Sequence, residues 1–341
     1  MNLLQLKYPI IQAPMLGITT PEMAAAISNE GGLGSLPVGG LSPETAYDLI
    51  QKTKQLTNKP FAVNLFAHKL TSYSENDVHL MAAFLVELAK KRGYELTESA
   101  ITDFKFYTYA DQIDVLIKEN IKIVSFTFGC LDKESVRLLK NNGAILIGTA
   151  TCLEEALFLE NEEIDMVCLQ GIEAGAHRGT FIEQQTLPQL NLLYLISQVK
   201  DKIKLPVIAA GGIDSPEKIS EVLRMGAVAA QIGTAFLGSA ESLAIESFKN
   251  RLSSAKDTDT VLTRAFSGRW ARGIRNEMMT AIETSGLSIP PYPVQNSLTA
   301  KFRKLAQDAN DSEYTSLWVG QSVNTTKRGF SKDIFQQLLK T

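Results

Sequence analysis

Residues 205–234 decide the fold because they hold one complete strand–helix–strand unit, LPVIAAGGIDSPEKISEVLRMGAVAAQIGT. The first apolar run predicts a buried strand that ends at Gly211-Gly212. Ser215-Pro216-Glu217 predicts a helix start, since serine is a common N-cap and proline suits the first helical turn. Ala227 to Ile232 predicts a second strand, which ends at Gly233-Thr234. This order of elements indicates a parallel βαβ unit.

The same alternation runs through the chain before this unit. Thr20-Pro21-Glu22 and Ser42-Pro43-Glu44 repeat the helix start, and each follows an apolar run. Eight predicted strands separated by helices favour an α/β fold that closes as a (β/α)8 TIM barrel. A doubly wound sheet is the alternative, but no GxGxxG follows the first strand and the spacing stays regular to the eighth. The six earlier strands are predicted at 10–15, 33–38, 61–66, 121–126, 144–148 and 164–169.

Two regions depart from the alternation. A helical insertion is predicted at about 68–108, after the third strand, with Leu80, Phe84, Leu85 and Leu88 along one helix face. After about residue 240 the pattern changes to glycine- and proline-rich sequence with helices predicted at 276–284 and 297–309. We therefore predict a barrel over 1–240 and a C-terminal helical and loop subdomain over 241–341. This subdomain either contributes to the substrate site or only packs beside the barrel mouth.

Composition excludes several classes of protein. The 341 residues carry a formal net charge of −3, which gives no electrostatic basis for binding nucleic acid or an anionic membrane. Cys130, Cys152 and Cys168 are an odd number without a CxxC pair, which suits a reducing compartment and disfavours a zinc ribbon. The N-terminus lacks a signal-peptide pattern and no apolar run could span a bilayer. We expect a cytoplasmic monomer or homodimer that acts on a small molecule without a metal.

The strand ends predict a binding site for a phosphorylated planar cofactor. Glycine turns after the seventh and eighth strands present backbone N–H groups and helix N-termini, a combination that binds phosphate in many barrels. Asn64 and Gln170 lie at other strand ends and offer donors and acceptors to a heteroaromatic ring such as that of FMN. Taken singly, either amide fits a structural residue better than a ligand, and the alternative for the glycines is that they only relieve crowding. The strand ends that meet at this face carry Ala13, Pro14, Met15, Asn64, Gln170, Gly175, Gly211, Gly212, Gln231, Gly233 and Thr234.

His177 is the predicted catalytic residue. It lies in LQGIEAGAHRG, residues 169–179, where small residues follow a buried strand and allow close approach of a ligand. A histidine near its ordinary pKa acts as a general base at neutral pH. The alternative is a tight strand-to-helix connection with a solvated histidine. His68 and Cys130 also follow predicted strands and are weaker candidates.

Several motifs along the chain carry a resemblance to a known family: Gln12-Ala13-Pro14-Met15-x-Gly17, Phe61-Ala62-Val63-Asn64, Ser125-Phe126-Thr127-Phe128-Gly129, residues 170–179, Ala210-Gly211-Gly212-Ile213, Gln231-Ile232-Gly233-Thr234, Ser267-Gly268-Arg269-x-Ala271-Arg272-Gly273 and Leu317-Trp318-x-Gly320-Gln321. Together they resemble the nitronate monooxygenases, also called 2-nitropropane dioxygenases. The resemblance extends over nearly the whole chain, and one departure is Ala176, where that family usually has glycine.

The resemblance implies an FMN-containing TIM barrel that oxidises alkyl nitronates, propionate 3-nitronate among them, with O2 to a carbonyl compound and nitrite. It implies that FMN is held by Asn64, Gln170, Gly175, Gly212 and residues 231–234, with Met15 lining the ring. His177 would then be the base or would position the nitronate. The eleven strand-end residues named above are therefore the predicted cofactor site.

Two kinds of alternative remain open. An FMN-dependent enoyl-acyl-carrier-protein reductase or NAD(P)H:quinone reductase of the same fold would share the barrel and a similar histidine turn, and would need a reduced nicotinamide. A flavin-binding protein without catalytic activity belongs to a different class. Turnover assays with nitronates and with NAD(P)H distinguish these alternatives.

Overall fold

The structure, a computed structural model, describes residues 3–182 and 186–340. Met1, Asn2 and Thr341, at the outer ends of the two predicted domains, lie outside the described residues. The strands are β1 (Ile10–Gln12), β2 (Ser35–Pro37), β3 (Ala62–Phe66), β4 (Ile123–Thr127), β5 (Ile145–Ala150), β6 (Met166–Gln170), β7 (Ala176–His177), β8 (Val207–Ala210), β9 (Ala229–Ile232), β10 (Thr260–Thr263) and β11 (Ala271–Ile274). The α-helices are α1 (Pro21–Glu30), α2 (Pro43–Leu56), α3 (Glu75–Arg92), α4 (Glu98–Thr102), α5 (Tyr109–Lys118), α6 (Lys133–Asn141), α7 (Leu153–Asn161), α8 (Leu192–Val199), α9 (Pro216–Arg224), α10 (Glu246–Ser254), α11 (Glu277–Glu283), α12 (Val294–Asp308) and α13 (Ser331–Leu339).

Eight strands of the described residues form one parallel sheet that curls into a nearly closed barrel. Their order is β1-β9-β8-β6-β5-β4-β3-β2. The two ends of this sheet meet where the Gln12 N–H donates to the Leu33 carbonyl at 2.9 Å and the Leu33 N–H donates to the Ile10 carbonyl at 3.0 Å. Leu33 lies two residues before β2, so the barrel closes between β1 and the entry to β2. The predicted (β/α)8 TIM barrel is confirmed.

Three helices begin as their repeated sequence predicts. The side chains of Thr20, Ser42 and Ser215 accept hydrogen bonds from the first turns of α1, α2 and α9, and a proline follows each cap. These caps satisfy backbone N–H groups that would otherwise lack partners at the helix N-terminus. They also fix the point at which each helix leaves its loop, and these loops surround the C-terminal ends of the strands.

The inserted helices share a second hydrophobic core with the C-terminal region. Side chains of α3 and α4 pack with those of α11 and α12, whereas α13 returns to the barrel core through Phe335. Leu80, expected on the packed face of the insertion, is 48% exposed, so that expectation is wrong. The face is rotated because α3 packs on α12 rather than along the barrel wall. Its buried residues are Val78, Met81, Ala82, Leu85 and Ala89. The division of the chain near residue 240 stays a prediction.

A small antiparallel sheet covers part of the barrel mouth. It has the order β10-β11-β7, and its register places His177 opposite Ala271. The sequence predicted a tight turn for the segment that holds His177, but the structure places this histidine in β7. The residues 271–274 provide the missing strand partner, and they lie almost a hundred positions further along the chain. β7 is an edge strand of this sheet, so β11 holds the histidine from one side.

Candidate active site

A cavity of about 220 Å³ opens at the C-terminal ends of the barrel strands. The structure brings all twelve predicted site residues to its lining, although they come from five separate stretches of sequence. They are Ala13, Pro14, Met15, Asn64, Gln170, Gly175, His177, Gly211, Gly212, Gln231, Gly233 and Thr234.

Sequence reasoning missed part of this lining. Hydroxyl groups come from the last three residues of β4 and of β5, and this position in the strands was an available signal. The C-terminal region supplies Trp318, which lies in one of the motifs quoted above, and three further residues, Tyr292, Asn296 and Arg303, which no local pattern marks. The missed residues include Ser125, Thr127, Thr149, Phe66, Phe128, Tyr292, Asn296, Arg303 and Trp318.

The glycine turns after β8 and β9 line one side of the cavity. Gly211 and Gly212 have φ of +120° and +68°, backbone conformations that favour glycine. The Thr234 Oγ1 accepts a hydrogen bond from the Gly320 N–H at 3.0 Å, which leaves its own O–H to donate into the cavity.

The two predicted amides, Asn64 and Gln170, differ in how many of their side-chain hydrogen bonds are already made to other residues of the chain. Asn64 is buried and donates from Nδ2 to Ser125 Oγ at 3.0 Å, which leaves its Oδ1 as an acceptor. Gln170 donates from Nε2 to the His177 carbonyl at 3.0 Å and accepts at Oε1 from the Gly179 N–H at 2.8 Å. Gln170 therefore orders the segment that carries His177 as well as lining the cavity.

His177 is held by a polar contact and by three aromatic rings. Its Nε2 lies 2.7 Å from Ser267 Oγ. Phe128, Trp318 and Tyr292 surround the ring, with centroids 5.6, 5.5 and 6.2 Å away respectively. Burial lowers the pKa of His177 to about 3, with smaller contributions from the positive charges of Arg269 and Arg303. The imidazole is therefore neutral at pH 7.

Three charged side chains fix the segment between β6 and β7. Arg178 is buried and donates from Nη1 to the Gly171 carbonyl at 2.5 Å and from Nη2 to the Gln170 carbonyl at 3.0 Å. Arg272 donates from Nε to the Ile172 carbonyl at 3.0 Å. Glu173 accepts at 3.1 Å from the backbone N–H of Leu192, the first residue of α8. Arg178 and Glu173 flank the histidine in sequence, but their contacts are structural.

Gly175 and Ala176 show why small residues precede the histidine. A β-carbon on Gly175 would lie 2.4 Å from the backbone nitrogen of Gly320, so any side chain there would clash. Ala176 has a φ of +58°, in the left-handed region that favours glycine. The sequence departs from the family pattern at this position, and the structure shows that it keeps a glycine-like backbone conformation.

The weaker candidates do not join the site. His68 is buried against Tyr292, with ring centroids 4.8 Å apart, and neither ring nitrogen has a hydrogen-bond partner among the described residues. Burial lowers its pKa to about 4, and burial raises the pKa of Cys130 to about 12, so this thiol is not a thiolate at neutral pH. Residues 3–182 and 186–340 contain no group of three or more histidine, cysteine or acidic side chains that could hold a metal ion. No helix in the same ranges combines the length and hydropathy needed to cross a bilayer.

The structure is a (β/α)8 barrel whose mouth holds a neutral histidine beside two glycine turns. The family model described as nitronate monooxygenase matches residues 1–341. The chain belongs to the nitronate monooxygenase family, and it is therefore an oxidoreductase of a flavin-dependent family.

Individual relatives agree with this assignment. A probable nitronate monooxygenase from Staphylococcus saprophyticus is 41% identical over 341 residues, which are 99% of this chain and 96% of the relative. The structure of a nitroalkane oxidase from Streptomyces ansochromogenes superposes with a TM-score of 0.89 at 34% identity, covering 98% of this chain and 95% of that one. FabK from Thermotoga maritima superposes less well, with a TM-score of 0.74 at 28% identity over 99% and 93% of the two chains.

Proposed function

We propose that the protein uses FMN to oxidise alkyl nitronates, including propionate 3-nitronate, with O2 to a carbonyl compound and nitrite. The observation that carries the proposal is the single cavity lined by His177 and by every predicted cofactor residue. The family assignment and the similarity to a nitroalkane oxidase support the substrate class. We further propose that the protein acts in the cytoplasm as a monomer or homodimer.

The residues present fit FMN. Gly211, Gly212, Gly233 and the Thr234 hydroxyl would hold its phosphate, because they present donors and the cavity lining of the described residues contains no carboxylate to repel it. Asn64, Gln170 and Gln231 would face the polar edge of the ring, and Ala13, Pro14 and Met15 would pack beside it. FMN supplies the electron acceptor for the nitronate when it is bound.

We assign His177 to positioning the nitronate rather than to removing a proton from a neutral nitroalkane. A pKa of about 3 makes the imidazole a weak base. One ring nitrogen contacts Ser267, and the other remains for a hydrogen bond to a nitronate oxygen. Phe128, Tyr292 and Trp318 line the same cavity and would surround a bound nitronate with largely apolar surface, which would exclude water from the site.

Cofactor analysis and turnover stoichiometry test the proposal. The flavin released from purified protein by denaturation should be FMN by mass spectrometry. Propionate 3-nitronate should then drive O2 consumption together with nitrite release. Flavin without nitronate turnover, but with NAD(P)H oxidation by a quinone or an enoyl thioester, would replace the proposal with one of the reductase alternatives. Flavin without either activity would indicate a binding protein.

A further inference from the structure

One charged side chain in the cavity lining has no partner of opposite charge. Arg303 lies on α12 with Thr299 and Asn296 one and two turns before it, on the same helix face. Its Nε donates to Thr299 Oγ1 at 3.1 Å, and its Nη2 donates to the Asn296 backbone carbonyl at 3.0 Å and to its Oδ1 at 2.8 Å. All three acceptors are neutral, so they orient the guanidinium without neutralising it.

The cavity supplies no compensating anion. Within the part of the chain that the structure describes, no aspartate or glutamate lines the cavity, and Arg303 belongs to none of the ion pairs. Two of the five guanidinium N–H groups, those on Nη1, have no acceptor among the same residues. Removing a cation from water is costly unless an anion or several hydrogen bonds compensate. The structure therefore leaves an unpartnered donor pair on a side chain that lines the cavity.

Asn296 extends this donor set. Its Oδ1 accepts from Arg303, which turns its Nδ2 donors away from the guanidinium, and both side chains line the cavity with His177. A planar carboxylate binds such a set through both oxygens. The positive charge of Arg303 also contributes to the lowered pKa of His177, so the two groups act within the same enclosed space.

We propose that Arg303 and Asn296 bind a carboxylate at the end of the substrate away from the nitronate, and that Arg303 thereby selects nitronates carrying this second negative charge. The inference rests on the proposed function, because His177 is taken to hold the nitronate end. The two ends of the substrate then bind to different elements, β7 and α12. A nitronate with an uncharged tail would leave Arg303 without a partner.

Binding of unreactive analogues tests this subsite without turnover. Succinate resembles propionate 3-nitronate, since a carboxylate and a nitronate group are both planar anions, and butyrate lacks the second charge. Calorimetric titration of the purified holoenzyme should give a Kd for succinate about 100-fold below that for butyrate, as expected for a paired buried charge. Arg303→Gln should bring the two Kd values within a few-fold of each other. Equal Kd values in the wild type, or an unchanged ratio in this variant, would overturn the proposal.

A second variant keeps the test valid if Arg303→Gln does not fold. Asn296→Asp places a carboxylate against the Arg303 guanidinium. The protein then neutralises Arg303 with its own side chain, so this variant should also lose the preference for succinate. Arg137→Gln is the matched control: this arginine is exposed on α6 and pairs with Glu134, and its loss should leave the ratio at the wild-type value. A preference for succinate that survives in Asn296→Asp would contradict the assignment.

Kinetics then connect the subsite to the reaction. The ratio of kcat/KM for propionate 3-nitronate to that for the nitronate of 3-nitropropionamide should fall about 100-fold in Arg303→Gln. An equal loss on both substrates would mean that Arg303 holds the nitronate end, which refutes the proposal. If neither nitronate is oxidised but the succinate preference depends on Arg303, the anion subsite stands and the proposed function fails.

Discussion

Replacing Ser267 by alanine tests how His177 is held. The Ser267 Oγ lies 2.7 Å from His177 Nε2, and Ser267 is 1% exposed, so water does not readily replace the lost hydroxyl. Leaving a buried polar atom without its partner costs about 1–3 kcal/mol. If the serine sets the orientation of the imidazole toward the nitronate, its removal should reduce the stabilisation of the transition state by the same amount. We expect kcat/KM for propionate 3-nitronate to fall about 5- to 150-fold, by the relation of about 1.4 kcal/mol per factor of ten.

A double-mutant cycle separates positioning from a general loss of stability. Ser267→Ala is measured alone and in a His177→Asn background, with kcat/KM and urea unfolding recorded for each protein. Ser267→Ala should change kcat/KM less than twofold once His177 is gone. Ser197→Ala is the control, because it removes an exposed hydroxyl that donates to the Tyr194 carbonyl on α8. Equal losses in both backgrounds would refute the idea that Ser267 acts through His177.

The remaining predictions concern backbone conformation and pH. Ala176→Gly should leave the free energy of unfolding unchanged or raise it by up to about 1 kcal/mol, because glycine relieves the strain of the left-handed backbone and this gain offsets its greater entropy in the unfolded chain. A lower free energy of unfolding in urea would contradict this prediction. Gly175→Ala should destabilise the protein by about 1–3 kcal/mol, since the new methyl group meets the Gly320 backbone; unchanged stability would contradict this clash. The folded-state pKa of His68 is lowered to about 4, so protonation of the unfolded chain reduces stability as the pH falls from about 6.5 to 4. His68→Phe should reduce that slope by about 1.2 kcal/mol per pH unit between pH 6 and 5, and an unchanged slope would show that His68 is protonated in the folded protein.

The barrel could be predicted because its signals are local. Each strand of a parallel sheet covered on both faces is a short apolar run, and the helix caps at Thr20, Ser42 and Ser215 are readable from three residues. The C-terminal ends of the strands meet at one face, so the glycine turns and Asn64 could be placed together before any coordinates were known.

The outer half of the site could not be predicted in the same way. Arg303 and Asn296 reach the cavity only because α12 packs on the inserted helix α3, and that contact joins residues about two hundred positions apart in sequence. The pairing of β7 with β11, which holds His177, likewise depends on a distant segment. The helical spacing of Asn296, Thr299 and Arg303 is present in the sequence, but it equally describes an exposed helix face.

The central claim is that a nitronate gives its electrons to the flavin of this protein. Purified holoenzyme should be titrated without oxygen, with propionate 3-nitronate in one cuvette and NADH or NADPH in another, while the flavin absorbance near 450 nm is recorded. We expect the nitronate alone to bleach the flavin and admission of O2 to restore it. Bleaching by the nicotinamide but not by the nitronate would contradict the account and assign the protein to the reductases of the same fold.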